Sequence, residues 1–267
     1  MTEIIGYFAS IGIGIILGLL GGGGSILAIP ILVYLFHVDA VRASAYSLFI
    51  VGVTSFVGAI PKYRDHLVSI QTGILFGLPS IIAIFATRKW IIPAIPDVIF
   101  SAGGFSLSKR LLILGIFAVL MIAASWSLIR GRKEVRRDDH EWRIPLLISE
   151  GLIIGSLTGL VGAGGGFLII PALVWWTGLP FKTAVGTSLF IIGINALLGF
   201  MGDVLNYEME WNFLLSLTGL AVLGIFIGNK LQKEISAQKL KKVFGWLILF
   251  TGIWILFHEV IFIMRMS

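Results

Sequence analysis

Gly18-Leu-Leu-Gly-Gly-Gly-Gly-Ser25 breaks an apolar run near the start of the chain, and Gly159-Leu-Val-Gly-Ala-Gly-Gly-Gly166 breaks another in its second half. Residues 4–20 and 144–161 precede the breaks and are nearly long enough to span a bilayer. The apolar stretches that follow, residues 25–36 and 167–177, have only 12 and 11 residues. At ~1.5 Å rise per residue they reach about 18 Å, against a hydrocarbon core of ~30 Å. Each break therefore ends one helix and opens an undersized one that crosses part of the membrane or re-enters it.

The two breaks belong to copies of one unit. Adding 141 to each position from 18 to 58 gives its partner between 159 and 199 without a gap, and 17 of the 41 positions are identical. The matches include Gly21 with Gly162, Gly24 with Gly165, Pro30 with Pro171, and the tetrapeptide Ser47-Leu-Phe-Ile50 with Ser188-Leu-Phe-Ile191. Composition bias toward Gly, Leu and Ile does not align a Pro and a tetrapeptide. Farther on the offset falls to 130, matching Gly115 with Gly245, so the first copy carries about eleven extra residues, assigned to the Pro/Gly-rich stretch 91–105. The expected organisation is an N-terminal repeat (residues 1–129), a charged linker (130–143) and a C-terminal repeat (144–267).

Composition agrees with a membrane chain. Of 267 residues, 57% are apolar and 13% charged, whereas a soluble domain carries roughly a quarter charged residues. This excludes the soluble enzyme classes, and so apolar a chain is the opposite of a disordered one. With no Cys, disulfides, Cys-based metal sites and thiol chemistry drop out together. The net charge of +6 comes from short basic runs between apolar stretches. Those set orientation in a bilayer, so no nucleic-acid partner is expected. The first 20 residues have no basic n-region and read as a true first helix rather than a signal peptide. Six further runs, residues 43–60, 69–86, 111–129, 183–201, 211–228 and 240–263, are long enough to span. The fold class is an all-α polytopic protein of the cytoplasmic (inner) membrane, with 8–10 membrane segments and lipid around it.

Charge counting sets the relation of the halves. If each half has an odd number of crossings and the linker is cytoplasmic, the loops at Lys62 and Arg64, at Lys182 and at residues 230–242 face the cytoplasm too. That places 14 of the 20 Lys and Arg inside, as the positive-inside tendency requires. An even number would leave most of them outside. The repeats are therefore expected to be inverted, with the acidic loop holding Asp203, Glu208 and Glu210 on the outer face.

Consecutive glycines at membrane depth need partners for their freed backbone groups. One reading is a pair of tight helical-hairpin turns with close helix packing. The other is an anion site: the N-terminus of a short helix offers free N–H groups and a positive dipole end, and glycine lets a ligand approach the backbone. Two such ends from inverted halves would meet near the midplane. Gly21 to Ser25 has no Lys after it and no strand before it, so it is not a nucleotide phosphate loop.

These motifs, with Pro30, Pro171 and Ala184-Val-Gly-Thr-Ser-Leu189, resemble the TauE/SafE group of sulfite exporters within the TSUP permeases, over almost the whole chain. The resemblance implies secondary transport of small sulfur-containing anions, coupled to an ion for which a proton is the candidate. The first copy departs from the second, reading Ala45-Tyr46-Ser47 where the second reads Gly186-Thr187-Ser188.

Polar residues at repeat-related positions extend the candidate site. Ser47 and Thr54 lie seven residues apart, as do Ser188 and Asn195, so each pair shares a helix face. The alternative is that the hydroxyls bond their own helix carbonyls and Asn195 bridges two helices. The candidate substrate-binding set is Gly22, Gly23, Gly24 and Ser25 at the first break and Gly164, Gly165 and Gly166 at the second. Ser47, Thr54, Thr187, Ser188 and Asn195 on the following helices complete it. Lys182 and Arg42 precede those helices and are read as interfacial anchors or as attractors at each mouth. His258 and Glu259 read as interfacial.

No His, Asp or Glu group has metal-ligand spacing and no Ser/His/Asp arrangement stands out among four His, so no metal, cofactor or enzyme activity is expected. An uncoupled anion channel is the competing function, and an intramembrane enzyme the third. The topology is open to single-Cys labelling in this Cys-free background: Cys at Lys233 should label from the cytoplasmic face and Cys at Tyr207 from the other. Labelling of both from one face would overturn the inverted arrangement.

Overall fold

The structure, a computed structural model, describes residues 2–38, 40–91, 94–96, 98–102, 105–130, 143–161, 166–204 and 209–266. Within them run ten α-helices: α1 (Thr2–Leu20), α2 (Gly23–Tyr34), α3 (Ala40–Arg64), α4 (Ile70–Ala86), α5 (Lys109–Arg130), α6 (Arg143–Val161), α7 (Gly166–Trp176), α8 (Phe181–Val204), α9 (Trp211–Glu234) and α10 (Ala237–Met266). Five stretches are long and apolar enough to cross a membrane: Arg42–Arg64, Ile70–Ile91, Phe181–Met201, Trp211–Glu234 and Ala237–Phe257. Ile5–Leu20, Gly24–Tyr34 and Ile144–Leu160 form shorter apolar helices. The expected run 111–129 lies within α5, and the two undersized stretches are α2 and α7, with 12 and 11 residues.

Stretch 91–105, where the first copy has its extra residues, departs from an all-helical reading. A π-helical turn (Thr87–Ile91) follows α4, and β1 (Val98–Ala102) pairs antiparallel with β2 (Phe105–Ser108) in a two-stranded hairpin. Pro96 suits the break before the hairpin, and β-branched and aromatic residues at Val98, Ile99 and Phe100 suit a strand.

The helices pack in repeat-related pairs. α1 lies along α9 and α4 along α6; α3 crosses α8, and α5 packs on α10. Glycines set the seams residue by residue. A Cβ on Gly14 would overlap the Ala221 carbonyl, and 141 residues on, a Cβ on Gly155 would press on the Ser80 backbone, Ser80 being the repeat mate of Ala221. Gly18 meets the Ile225 carbonyl as Gly159 meets that of Ile84. Small residues at such spacing let helix backbones come close where no hydrophobic drive separates lipid from protein. In both seams the contact positions rise together, so α1 runs parallel to α9 and α4 to α6. Between α3 and α8 they run opposite: Gly52 meets Leu197, Gly193 meets Phe56 and Gly199 meets Leu48. Between α5 and α10, Gly245 meets Ile129 while Gly252 meets Met121, again antiparallel.

Buried apolar residues such as Leu17, Leu32, Tyr46, Phe76, Phe181, Ile192 and Ile225 form one continuous core. The outward faces are also apolar: Ile74, Leu78, Ile82 and Phe85 on α4, Leu223 and Phe226 on α9, and Phe250 and Phe257 on α10 are exposed. A fold with apolar side chains inside and outside has lipid as its solvent. Where α3 and α9 end together, Lys233 lies 2.7 Å from Asp65. This hydrogen-bonded ammonium holds the Asp65 carboxyl below the usual carboxylate range.

The seams make a stability prediction. Gly14→Val or Gly155→Val should cost about 1–3 kcal/mol or more through forced backbone separation, read as a lowered thermal midpoint of the detergent-purified protein. Gly12→Ala and Gly219→Ala, where a Cβ meets open space, should be neutral or stabilising by about 0.5–1 kcal/mol, since alanine relieves the helix of glycine's entropy cost.

Candidate substrate site at the glycine breaks

α1 stops because Gly21 turns left-handed (φ 66), with its N–H bonded to the Leu17 carbonyl at 2.7 Å. Only glycine adopts this conformation without steric cost. Gly22 then caps α2 in an ordinary helical conformation, with no side chain capping its first turn. Ser25 does not cap either: its hydroxyl donates to the Gly22 carbonyl at 2.7 Å.

The breaks meet. A Cβ on Gly22 would overlap the Gly166 backbone, and one on Gly166 would overlap Gly22. The N-termini of α2 and α7 are thus brought together in the interior, glycine against glycine. Ser188 stands beside them, since a Cβ on Gly21 would lie 2.7 Å from its hydroxyl oxygen; that hydroxyl donates to the Val185 carbonyl at 2.8 Å. Gly24 faces elsewhere, toward the Ile13 carbonyl and Leu17 of α1, so it closes the α1–α2 hairpin. Gly23 opens α2. Gly164 and Gly165 lie outside the described residues.

The following helices place the remaining candidates. Ser47 and Thr54 are buried on α3, and the Thr54 hydroxyl has no hydrogen-bond partner among the described residues. Asn195 donates from Nδ2 to the Ser80 hydroxyl on α4 at 2.8 Å, while its Oδ1 has no partner among them. Thr187 accepts the Ser69 N–H at 3.0 Å, and its repeat mate Tyr46 accepts the Glu210 N–H at 3.0 Å. Ser69 and Glu210 are themselves 141 apart and cap α4 and α9. The unlike motifs Ala45-Tyr46-Ser47 and Gly186-Thr187-Ser188 therefore do the same job with different reach. A Cβ on Gly186 would overlap the Leu67 carbonyl, so the chain passes close enough there for the short Thr.

The polar residues that sequence reasoning placed elsewhere or missed are buried. Lys62, counted among the loop cations, is 1% exposed within α3. It donates to Gln232 Oε1, and Gln232 Nε2 donates to the Leu19 carbonyl two residues before Gly21. A lysine side chain thus lies buried near the C-terminal end of α1. Glu150, 3% exposed in α6, was a carboxylate inside an apolar run, a signal that was available in the sequence. Its two oxygens, with the Thr158 and Thr87 hydroxyls, lack partners among the described residues. At the other end of α3, a cavity of about 350 Å³ is lined by Arg42, His37, Glu210 and the rings of Tyr7, Phe36 and Phe213. Arg42 thus faces a mouth at the end opposite Lys62.

The family described as Sulfite exporter TauE/SafE matches residues 7–255. The chain is 29% identical over 261 residues to a Xylella fastidiosa (strain Temecula1) protein named Probable membrane transporter protein, covering 92% of each. It is 24% identical over 267 residues to Probable membrane transporter protein YunE of Bacillus subtilis, covering 92% of this chain and 94% of the relative. A second Bacillus subtilis relative, Probable membrane transporter protein YdhB, is 25% identical over 247 residues, covering 92% and 96%. No solved structure matches the chain.

The paired caps lead to a matched outcome. Thr187→Val and Tyr46→Phe each remove the acceptor of one helix-starting N–H, and each should cost about 0.5–1.5 kcal/mol. Because the two lie at opposite ends of the bundle, the double variant should lose the sum. Thermal unfolding of the three purified variants checks this.

Proposed function

Because the chain belongs to the TauE/SafE sulfite exporter family and its matched relatives are named probable membrane transporter proteins, we propose that this integral multi-pass protein carries small sulfur-containing anions by secondary transport. Sulfite or organic sulfonates pass the glycine breaks, coupled to an ion. The contact of Gly22 with Gly166 carries the reading: it sets two short-helix N-termini side by side in the interior. Each end offers roughly +0.5 charge, so the pair compensates about one negative unit, which suits a monoanion or a protonated dianion. Gly22, Gly23 and Ser25 with Gly166 form the floor in this proposal; Ser47, Thr54, Thr187, Ser188 and Asn195 line the approaches.

The halves 1–129 and 144–267, joined by the linker 130–143, act as inverted repeats. Support comes from the antiparallel crossing of the repeat-related pairs α3 with α8 and α5 with α10. Lys62, Asp65 and Lys233 lie together at one end and Arg42 with Glu210 at the other, in keeping with the expected topology. Backbone packed on backbone between the breaks means the halves must part for an anion to pass. That favours a carrier over an open channel.

Sulfite has its second ionisation near neutral pH, so at fixed total concentration its uptake into proteoliposomes should quicken as pH falls on the entry side. Methanesulfonate, a monoanion throughout, should lack this substrate effect. Ser188→Ala or Asn195→Ala should weaken binding by about 1–3 kcal/mol. Equal, flat pH profiles for both anions, or silence of both variants, would overturn this site.

A further inference from the structure

We propose that Glu150 is the proton-bearing coupling residue of this transporter, taking up and releasing the proton that moves with the anion. The inference rests on the transport reading above and names the group that couples it.

Glu150 lies seven residues into α6, ~10 Å along its axis, in a helix that after Arg143 is otherwise apolar and small in character. It is buried, and both carboxyl oxygens lack a hydrogen-bond partner among the described residues. Intramembrane carboxylates are rare because charge without a donor is costly there, and such a residue persists where function requires it. Packing alone gives no reason for it: the repeat mate of Glu150 is Ala9, so the other half forms the equivalent helix with a methyl group.

Among the described residues, no charged group is shown paired with the carboxyl. α6 packs against α4, α5, α7 and the π-helical turn. α4 and α7 contain no titratable residue. The charged groups on the others are Lys109, Arg110 and Arg130 at the ends of α5, and Arg88 and Lys89 in the turn; Arg143 begins α6 itself. All of these basic positions lie at helix ends or in the turn along the chain, and none lies in the middle of a helix.

Glu150 also lies on a path. Glu150, Ile154 and Thr158 recur at four-residue spacing on one buried face, leading toward the second break, where α7 begins at Gly166. The repeat mates of Ile154 and Thr158 are Ile13 and Leu17, the two residues that Gly24 meets at the first break. The Thr158 hydroxyl has no partner among the described residues. Where one half has Leu17 the other thus has a hydroxyl, and two turns earlier on the same buried face it carries the Glu150 carboxyl. Ionising Glu150 in this packed state would leave the charge unanswered, so its ionisation is tied to helix separation, the same movement that frees the breaks. The step is a proton transfer only. The carboxylate takes a proton from water on one face as the O–H bond forms, and that bond breaks to return the proton to water on the other. No redox partner is needed.

The test uses the full chain in proteoliposomes with radiolabelled sulfite and two readouts: accumulation driven by an imposed pH gradient, and sulfite exchange with no gradient. Glu150→Gln keeps size and polarity and removes the titration. The expected result is a drop of tenfold or more in gradient-driven accumulation with exchange kept within about twofold of the parent; Glu150→Asp should restore part of the accumulation. Gradient-driven accumulation by Glu150→Gln equal to the parent overturns the proposal and leaves the transport reading intact. Equal loss of accumulation and exchange in a monodisperse Glu150→Gln protein also overturns it, assigning the residue a structural role. A parent protein that moves no sulfite in either assay overturns the transport reading itself.

Discussion

Backbone groups freed inside a bilayer have no water to turn to, and the fold is arranged around that constraint. Gly21 leaves α1 in a left-handed turn, and Gly22 then rests on Gly166 with no side chain between them. Any Cβ there would drive the halves apart, so this contact fixes how closely they approach and puts two helix N-termini together in the interior. The seams beside it follow the same rule. Gly14 on Ala221 and Gly155 on Ser80 bring α1 to α9 and α4 to α6 at backbone distance, which holds the long helices close enough for the short ones to meet.

The symmetry is one of backbone more than of chemistry. Repeat mates occupy equivalent places and often perform equivalent work, as Tyr46 and Thr187 do in receiving the N–H groups of Glu210 and Ser69. Where the copies diverge, polar groups gather on one side only. Glu150 and Thr158 stand where the other half has Ala9 and Leu17, and Asn195 reaches Ser80 where the mates are Thr54 and Ala221. A repeated scaffold carrying unlike side chains gives its two halves different chemistry on similar backbones.

The fold class, five of the long apolar stretches, the two undersized helices and the family were legible in the sequence. They depend on hydropathy, on segment length set by rise per residue, and on the spacing of a repeated motif, all local quantities. The glycine runs were legible as breaks for the same reason. What each glycine faces was not. Gly24 lies against its own hairpin partner while Gly22 lies against the opposite half, although the two are neighbours in one run.

Side-chain partnership likewise needed the tertiary structure. Lys62 follows Pro61 at the end of a span and counts as a loop charge along the chain; its burial against Gln232 depends on a contact between residues 170 apart. The Pro/Gly stretch 91–105 was legible as an insertion, but the pairing of Val98–Ala102 with Phe105–Ser108 depends on register between strands. The sequence by itself determined which stretches are long and apolar enough to span a bilayer and that a glycine-broken motif recurs at an offset of 141, because those follow from composition and period. Which glycines meet, and which polar atoms are left without partners, was decided by tertiary packing, since burial and hydrogen bonding are properties of residues distant in the chain that the fold brings together.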